Sequence, residues 1–521
     1  MSSFINKYAM LIAILALAII LRLPNLNDSF WMDEAAQALQ ALRPAHEQFD
    51  LINDFQPPLL HLITFISAKF SHAEWWLRLW GALIPAILTI WGTYLIGAKI
   101  ISQKVGLLAA FLLSTSSFHV FFSQELRPYS LSAVFAIWSW FFLLEILKVG
   151  SDSYQIKRNS QINAFFNLFP ISRDFFIFLF LSILGLYSSY LYPFVLLSQL
   201  IMLIIYRKNK LFLYSLLIPS ISFLPWLPTF LQQLNAGQAL RSSFPGWENI
   251  VSFSQIKAPA LSFGKFLYGI IDLEVNLIFA SLTTVFFAFI LYFLWHSRQR
   301  FLQEKSKFNT FFYLIFLPFI LASIVSIFVP VIQPKRVIFL LPFFYLMISY
   351  LIFGSRHNWQ KLNFIHWFSI IYLITLNLYS LQQYYTQTIY QRENWRSALL
   401  QLHHKYPTAD TLAVFAYTAP FSSWRWYEKD QPQPYPTLST GNYDTNQLEN
   451  LSEILNPALN YQHIIIFDYL RSLTDSQNRL PLFFEANGYF ETFQLQYDNL
   501  GIVRIYTRIL PTIAQEKGNY I

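Results

Sequence analysis

Long apolar runs recur along this chain of 521 residues. Most hold about 17–25 residues between Lys, Arg or Asn, the length that a helix needs to cross a hydrocarbon core about 30 Å thick. Strands of a membrane barrel would alternate apolar and polar residues, and these runs do not alternate. They therefore predict about eleven spanning helices, at residues 8–23, 76–98, 105–122, 129–147, 174–188, 190–206, 211–229, 275–296, 309–330, 337–353 and 364–381.

The composition and charge of the chain agree with a bilayer environment. Hydrophobic residues make up 55% of the chain and charged residues 12%, against roughly 25% charged in soluble domains. The net charge of +8 does not indicate nucleic-acid binding, because the basic residues lie in short loops between apolar runs. The first run, Tyr8 to Leu21, is followed by Arg-Leu-Pro-Asn and an acidic patch rather than a small-residue cleavage site, so we expect an uncleaved span.

Basic residues fall in every second loop of this arrangement, as the positive-inside rule requires of cytoplasmic loops. The topology therefore has a cytoplasmic N-terminus, an external segment after about residue 382, and a location in the plasma (inner) membrane. The loops on the basic side carry Lys7, Lys99, Lys104, Lys148, Lys157, Arg158, Arg173, Arg207, Lys208, Lys210, Arg298, Arg300, Lys305, Lys307, Arg356 and Lys361.

Two external segments, 24–75 and 230–273, are longer than simple connections and are expected to be functional or to carry helices of their own. In the first, Trp31–Leu42 and Leu59–Phe70 read as interfacial helices. We assign residues 1–381, with these loops, to a transmembrane catalytic domain, and residues 382–521 to an external soluble α/β domain.

Local patterns predict the elements of the external domain. Alternation in period two on either side of Asp498-Asn499-Leu500 is typical of a hairpin. The predicted helices are 392–405 and 446–455, and the predicted strands are 411–417, 463–469, 490–497 and 501–507.

Ionisable residues are nearly absent from the middle of the predicted spans and collect near their external ends. Ion-coupled transporters need charged or unwound segments near the bilayer centre. The distribution therefore favours an enzyme whose reactants meet at the headgroup level. A transporter or lipid flippase, and a non-catalytic envelope-assembly protein, remain as alternatives.

Two motifs lie in the first external segment. Trp31-Met-Asp33-Glu34-Ala places two acids where a helix begins, a position that the helix dipole also favours without any catalytic role. Gln56-Pro57-Pro58 opens the next helix, where Pro is structurally expected.

Two further motifs combine charge with membrane-interface residues. Gln124-Glu125-Leu-Arg127-Pro-Tyr129 fills a very short external loop, where Arg and Tyr also serve as ordinary anchors. Gln333-Pro-Lys335-Arg336 places two basic residues outside, against the positive-inside tendency. An anionic headgroup would explain that pair, and a plain anchor is the alternative.

These four motifs in this order, with Leu340, Leu341 and Pro342 after the last, resemble the GT-C superfamily of membrane glycosyltransferases. The likeness is to the branch of dolichyl-phosphate-mannose protein mannosyltransferase-like and aminoarabinose-transferase-like enzymes (glycosyltransferase family 39/83 type). It covers roughly residues 1–381 in layout and implies a GT-C fold. The external domain lacks the Trp-Trp-Asp motif of oligosaccharyltransferases, which argues against transfer of a whole oligosaccharide.

The resemblance implies transfer of one sugar from a polyprenyl-phosphate donor to a protein, lipid or glycan acceptor on the non-cytoplasmic side. The leaving phosphate is already anionic, so one base and one cationic clamp suffice. By family analogy Asp33 is the base and Glu34 its alternative. The donor-phosphate candidates are Lys335, Arg336 and Arg127, and the substrate-binding candidates are Glu125, Tyr129, Gln56, Pro57 and Pro58.

Gln56 departs from the family pattern, in which a His or charged residue often precedes the double Pro, so we assign it only to the wall of the site. The chain contains no Cys, which excludes disulfides and thiolate metal sites. No external His pair has helical metal-ligand spacing. We therefore expect no cofactor and no divalent-cation requirement.

Overall fold

The computed structural model describes residues 2–149, 172–243, 257–272, 274, 276–303, 309–353 and 362–509. Two compact units are present. The first comprises 1–27, 40–239 and 250–390, and the second comprises 28–39, 240–249 and 391–521. The loop residues Lys157, Arg158, Lys305, Lys307, Arg356 and Lys361, and parts of the predicted 230–273 and 382–521 segments, lie outside the described residues.

The first unit consists of helices. Its α-helices are Ser2–Ile20, Leu59–Ala68, Glu74–Arg78, Ile84–Ile100, Gln103–Thr115, Ser117–Phe122, Tyr129–Ile146, Arg173–Leu186, Tyr192–Ile205, Asn209–Phe223, Leu227–Ser243 (which ends in the second unit), Ala258–Tyr268, Leu277–Gln303, Leu317–Ser326, Leu341–Phe353 and Phe364–Thr386. Shorter 3-10 turns are Ala45–Glu47, Leu224–Trp226, Ile338–Leu340 and Thr388–Tyr390, and π-helical turns are Leu79–Leu83 and Phe312–Phe316.

Helices occupy each of the predicted spans and both predicted interfacial positions. In the part of the chain that the structure describes, 6 helices are long and apolar enough to cross a membrane, and further apolar helices are shorter. The predicted span 105–122 is interrupted, because Ser116 is extended between helices Gln103–Thr115 and Ser117–Phe122. The predicted spans 174–188 and 190–206 are two separate helices, the first ending at Leu186 and the second beginning at Tyr192.

Close packing of two glycines joins neighbouring helices of this unit. A Cβ on Gly97 would lie 2.6 Å from Gly106 Cα, so neither position has room for a side chain. Small residues of this kind let membrane helices approach closely. Buried apolar side chains from most of the helices form one continuous core around this pair.

The second unit contains a five-stranded sheet whose strands are β1 Thr411–Phe415, β2 Thr437–Ser439, β3 His463–Phe467, β4 Tyr489–Tyr497 and β5 Gly501–Arg508. Their order in the sheet is β2-β1-β3-β5-β4. β1 pairs in parallel with β2 and β3, and β5 is antiparallel to β3 and β4. The predicted hairpin of β4 and β5 is confirmed.

Helices of the second unit pack against both faces of this sheet. The α-helices are Met32–Ala41, Trp395–Lys405, Ser422–Glu428, Leu451–Leu455, Arg471–Thr474 and Arg479–Ala486, and the 3-10 turns are Thr408–Asp410, Thr445–Gln447 and Asn456–Asn460.

Two features of the second unit differ from the prediction. β2 is only three residues long and lies in a Pro-rich stretch, so no local pattern indicated it. The predicted helix 446–455 begins only at Leu451. Residues 446–450 do not join this α-helix. The Thr445 hydroxyl donates to Asp475 at 2.5 Å, and Arg479 donates to the carbonyl of Leu448 at 2.8 Å, and these contacts hold the segment in another conformation.

Candidate active site

The two acids of the first motif lie in the first turn of helix Met32–Ala41, in the second unit. The side chain of Asp33 is half-buried, whereas Glu34 is fully buried. Successive residues of a helix point about 100° apart, so the two carboxylates face different surroundings. Of the two acids, only Asp33 is partly exposed.

The chain just before Asp33 is bound to the C-terminal part of the same unit. The Phe30 N–H donates to the Tyr427 hydroxyl at 2.7 Å, and the Arg396 N–H donates to Ser29 Oγ at 3.2 Å. The ring of Phe30 packs edge-on against Trp426, with centroids 5.5 Å apart. Residues 28–33 therefore take their position from helices Trp395–Lys405 and Ser422–Glu428.

Glu393 is a second acid in the neighbourhood of Asp33. Trp395 Nε1 donates to one of its carboxyl oxygens at 2.7 Å, and the Tyr469 hydroxyl donates to the other at 2.8 Å. Burial is the main cause that raises the pKa of Glu393 to about 7, and the charge of Asp33 acts in the same direction. The hydrogen bonds and Arg392 act against this rise. The sequence analysis did not identify Glu393, which lies just after the last span in a segment without a recognisable motif.

The double-Pro motif of the first unit lies beside a polar cluster centred on Asp54. One carboxylate oxygen of Asp54 accepts a hydrogen bond from Gln56 Nε2 at 2.8 Å and lies 3.1 Å from His61 Nε2. The other oxygen lies 3.8 Å from a guanidinium nitrogen of Arg127. The structure therefore brings Gln56 and Arg127, which the sequence analysis singled out separately, to one carboxylate.

Asp54 was not identified from the sequence. Burial acts to raise its pKa, but the charge of Arg127 and the contacts with His61 and Gln56 together lower it to about 2. Asp54 is thus ionised at neutral pH. The only signal was an acid three residues before the double Pro, in a segment where exposed acids are common.

The backbone around Asp54 is held in place by Gln233. The Gln233 side-chain nitrogen donates to the carbonyls of Leu51 and Asp54, at 2.7 Å each. The Tyr190 hydroxyl in turn donates to the Gln233 side-chain carbonyl. Pro57 and Pro58, just after this loop, are buried. These contacts give the loop a defined shape without regular secondary structure.

The predicted phosphate-binding residues also belong to the first unit. Lys335 Nζ lies 5.9 Å from the centre of the Tyr129 ring, and Tyr129 is two residues beyond Arg127. Arg336 donates to the carbonyl of Pro330 at 3.3 Å. Lys335 and the Arg127–Tyr129 loop are thus neighbours. Glu125 is buried in that loop.

A polar cavity of the second unit is lined by charged residues that pair with one another. The second unit has a cavity of about 480 Å³ lined by Asp468, Arg471 and Arg504 among others. Asp468 pairs with Arg471 at 2.6 Å and with Arg504 at 2.8 Å, and Glu491 pairs with Arg504 at 2.8 Å, so two carboxylates balance the two guanidinium groups. Among the residues that the structure describes, no three His, Asp or Glu side chains come together as metal ligands.

Comparison with known proteins gives matches at the level of fold. No family model matches the sequence, and no curated protein matches it. Among solved structures, the archaeal oligosaccharyltransferase AglB of Archaeoglobus fulgidus, in complex with an inhibitory peptide and a dolichol-phosphate, aligns with TM-score 0.52 and 14% identity over 98% of this chain and 75% of its own. A complex of the same oligosaccharyltransferase with Zn and sulfate aligns with TM-score 0.52 and 14% identity, over 94% of this chain and 73% of its own.

A second similar protein is ArnT of Cupriavidus metallidurans. Its structure bound to undecaprenyl phosphate aligns with TM-score 0.52 and 10% identity, over 96% of this chain and 98% of its own. The chain therefore shares its fold with these structures, and 6 helices in the part of the chain that is described are long and apolar enough to cross a membrane.

Proposed function

We propose that this protein is a glycosyltransferase that moves a single sugar from a polyprenyl-phosphate donor to an acceptor on the non-cytoplasmic side of the membrane. The observation that carries the proposal is the fold shared with ArnT over nearly the whole of both chains, because the ArnT structure has undecaprenyl phosphate bound. The AglB structure with a dolichol-phosphate supports the same class of lipid.

In the proposed reaction the donor phosphate is held by Lys335, Arg336 and Arg127. Arginine binds phosphate through two parallel hydrogen bonds and lysine acts as a point charge, so the group suits an anionic leaving group. The contact between Lys335 and Tyr129 supports the placement of Lys335 beside the Arg127 loop. The Asp54 carboxylate lies 3.8 Å from a guanidinium nitrogen of Arg127 and would orient the guanidinium.

Asp33 is the proposed base, and Glu34 remains the alternative. An acceptor hydroxyl would pass its proton to the Asp33 carboxylate while its oxygen attacks the anomeric carbon. A positioned carboxylate of this kind contributes about 10²–10⁴-fold in rate. Its partial exposure supports Asp33 over the buried Glu34.

A single displacement inverts the anomeric configuration. A β-linked donor would then give an α-linked product, and a β product from a β donor would contradict the mechanism.

The remaining assignments complete the proposal. Glu125, Tyr129, Gln56, Pro57 and Pro58 would line the sugar and acceptor site, and residues 1–381 would form the catalytic domain. The acceptor is a protein, a lipid or a glycan. The protein would lie in the plasma (inner) membrane, with a cytoplasmic N-terminus and an external C-terminal domain, in accordance with the positive-inside pattern.

Among the described residues, no three carboxylate or imidazole side chains are placed to hold a divalent ion together. No step of the proposed reaction is therefore assigned to a metal.

The test is transfer of label from a panel of radiolabelled polyprenyl-phosphate sugars to a membrane extract by the purified protein in lipid. Wild type should transfer label, and Asp33→Asn should lose about 10²–10⁴-fold in rate. Asp50→Asn is the matched control, because Asp50 is an exposed acid of the same external segment. Unchanged transfer by Asp33→Asn would place the active site elsewhere. No transfer with any donor would favour the transporter or assembly-protein alternative.

A further inference from the structure

The two carboxylate oxygens of Asp54 have different surroundings. Gln56 Nε2 donates to Oδ2 at 2.8 Å, and His61 Nε2 lies 3.1 Å from the same oxygen. Oδ1 lies 3.8 Å from a guanidinium nitrogen of Arg127, which is longer than a hydrogen bond. The side chain of Asp54 is 25% exposed. Asp54 therefore has a fixed orientation and keeps lone pairs that can accept hydrogen bonds from a bound molecule.

The backbone that carries Asp54 is fixed as well. The buried side chain of Gln233 donates to the carbonyls of Leu51 and Asp54 at 2.7 Å each. The Asp54 N–H donates to the Leu51 carbonyl at 3.1 Å, which closes a turn. Ordering a loop costs conformational entropy, and groups that bind ligands are often carried by loops that a rigid scaffold positions. The loop around Asp54 has the properties of such a binding loop.

The contact with Arg127 places Asp54 beside the proposed site of the donor phosphate. Arg127 is partly exposed, and Lys335 lies 5.9 Å from the centre of the Tyr129 ring, two residues beyond Arg127. These residues all belong to the first unit. In a polyprenyl-phosphate sugar the anomeric carbon is bonded to a phosphate oxygen, so the hydroxyl groups of the sugar lie close to the phosphate. An acid that faces the phosphate-binding arginine is therefore within reach of those hydroxyl groups.

The charge of Asp54 suits the sugar end of the donor and not its phosphate end. Burial acts to raise the pKa of Asp54, but Arg127, His61 and Gln56 together lower it to about 2. An ionised carboxylate only accepts hydrogen bonds and repels another anion. Hydroxyl groups donate hydrogen bonds, so a hydroxylated sugar is the complementary ligand.

We propose that Asp54 binds the sugar of the donor, by accepting a hydrogen bond from one or more of its hydroxyl groups, in addition to orienting Arg127. The inference rests on the proposed transferase function and makes Asp54 a residue that selects the sugar. The ligand class is a hydroxylated sugar whose anomeric carbon carries a lipid phosphate. Asp54 stays ionised in this role and takes no proton. A donor that lacks the bound hydroxyl group leaves the carboxylate without that hydrogen bond, so its affinity is lower.

The first test compares two ligands of the purified protein in lipid: a polyprenyl phosphate that carries a sugar, and the same polyprenyl phosphate without one. In Asp54→Asn the ratio of the Kd of the first to that of the second should rise about five- to tenfold, because a hydrogen bond to a charged acceptor becomes one to a neutral acceptor. Arg127→Ala should raise both Kd values together. Asp50→Asn, at an exposed acid of the same external segment, is the matched control and should change neither.

An unchanged Kd ratio in Asp54→Asn would overturn the proposal, because Asp54 would then act only through Arg127. The second variant, Asp54→Glu, keeps the charge and displaces it by one methylene group. It should change the order of the Kd values among donors that differ at a single hydroxyl group, and the wild-type order would contradict the proposal.

The binding tests are independent of turnover. If the Kd ratio changes as expected while no donor supports transfer, the sugar site stands and the transferase function fails. If wild type binds neither ligand, both proposals fail.

Discussion

The imidazole Nε2 of His61 lies 3.1 Å from a carboxylate oxygen of Asp54, and the other oxygen of the same carboxylate faces Arg127. His61 is almost completely buried, with 1% of its side chain exposed, whereas Asp54 keeps 25%. One partly exposed acid therefore connects the loop before helix Leu59–Ala68 with the loop before helix Tyr129–Ile146. Asp54 stabilises the cationic group that we assign to the donor phosphate.

Asp54 should make the free energy of unfolding depend on pH. The pKa of Asp54 falls from 3.8 to about 2 on folding, which at about 1.4 kcal/mol per unit corresponds to roughly 2–3 kcal/mol. Because the folded-state pKa is the lower one, this stabilisation is complete above about pH 4 and is lost as the pH falls towards 2. In detergent, the Tm of Asp54→Asn should be lower than that of wild type at pH 7. The difference between the two Tm values should become smaller as the pH falls towards 2. A constant difference across that range would contradict the assignment.

Removal of the Lys335 ammonium should weaken donor binding. A hydrogen bond to a charged group contributes about 1.5–3 kcal/mol, so Lys335→Ala should raise KM for the donor about ten- to hundredfold. Lys69→Ala is the matched control, because Lys69 is also a predicted external lysine over an aromatic ring, 4.4 Å from the centre of Phe65. Equal KM values for the two variants would exclude Lys335 from the phosphate site.

The hydrogen bond between Phe30 and Tyr427 should hold the segment that carries Asp33. Tyr427→Phe removes the acceptor and should destabilise residues 28–39 by about 1 kcal/mol. Hydrogen exchange should become about fivefold faster in that segment, since 1 kcal/mol is roughly that factor in an opening equilibrium. In Tyr497→Phe, a control whose hydroxyl donates to the Ser397 carbonyl, exchange at 28–39 should be unchanged.

Gly269 should not tolerate a side chain. Its φ is +78°, and a Cβ there would overlap Ser117 Oγ and Ser380 Oγ, which lie 2.5 Å apart. Gly269→Ala should lower the free energy of unfolding by roughly 3 kcal/mol, because of backbone strain and overpacking. Gly264→Ala is the contrasting variant, because a Cβ at Gly264 meets nothing within 4 Å inside helix Ala258–Tyr268. Gly264→Ala should leave Tm unchanged or raise it, with a gain of up to about 1 kcal/mol in the free energy of unfolding.

Transfer should not require a divalent cation. Turnover of the purified protein should be the same in excess chelator as in added Mg²⁺ or Mn²⁺. Complete loss of turnover that either ion restores would show that the reaction needs a metal.

Local patterns predicted the helices well, because long apolar runs leave the backbone no alternative in a bilayer. They also predicted the β4–β5 hairpin, since period-two alternation around a polar turn is a local signal. Local patterns failed where contacts between residues distant in the sequence determine where an element begins. The helix starting at Leu451 is shortened by contacts of Thr445 and Leu448 with residues about 30 positions away.

The candidate site was predictable only in part. Asp33, Arg127 and Lys335 stood out because charges at the ends of apolar runs are conspicuous. Asp54 and Glu393 did not stand out, because the sequence around an acid in a polar loop does not show which distant residues it contacts. Their roles are defined by residues such as Arg127 and Tyr469, which are more than seventy positions away.

The sequence by itself determined that this chain crosses a membrane many times and continues into a mixed α/β domain, because hydrophobicity and periodicity are properties of neighbouring residues. Only the tertiary structure decided that residues 28–39 join the unit formed by 391–521. Only the tertiary structure, too, decided that Asp54 meets His61 and Arg127 and that Glu393 shares the neighbourhood of Asp33. These contacts depend on how distant segments pack, and burial then changes the pKa of the acids that meet there.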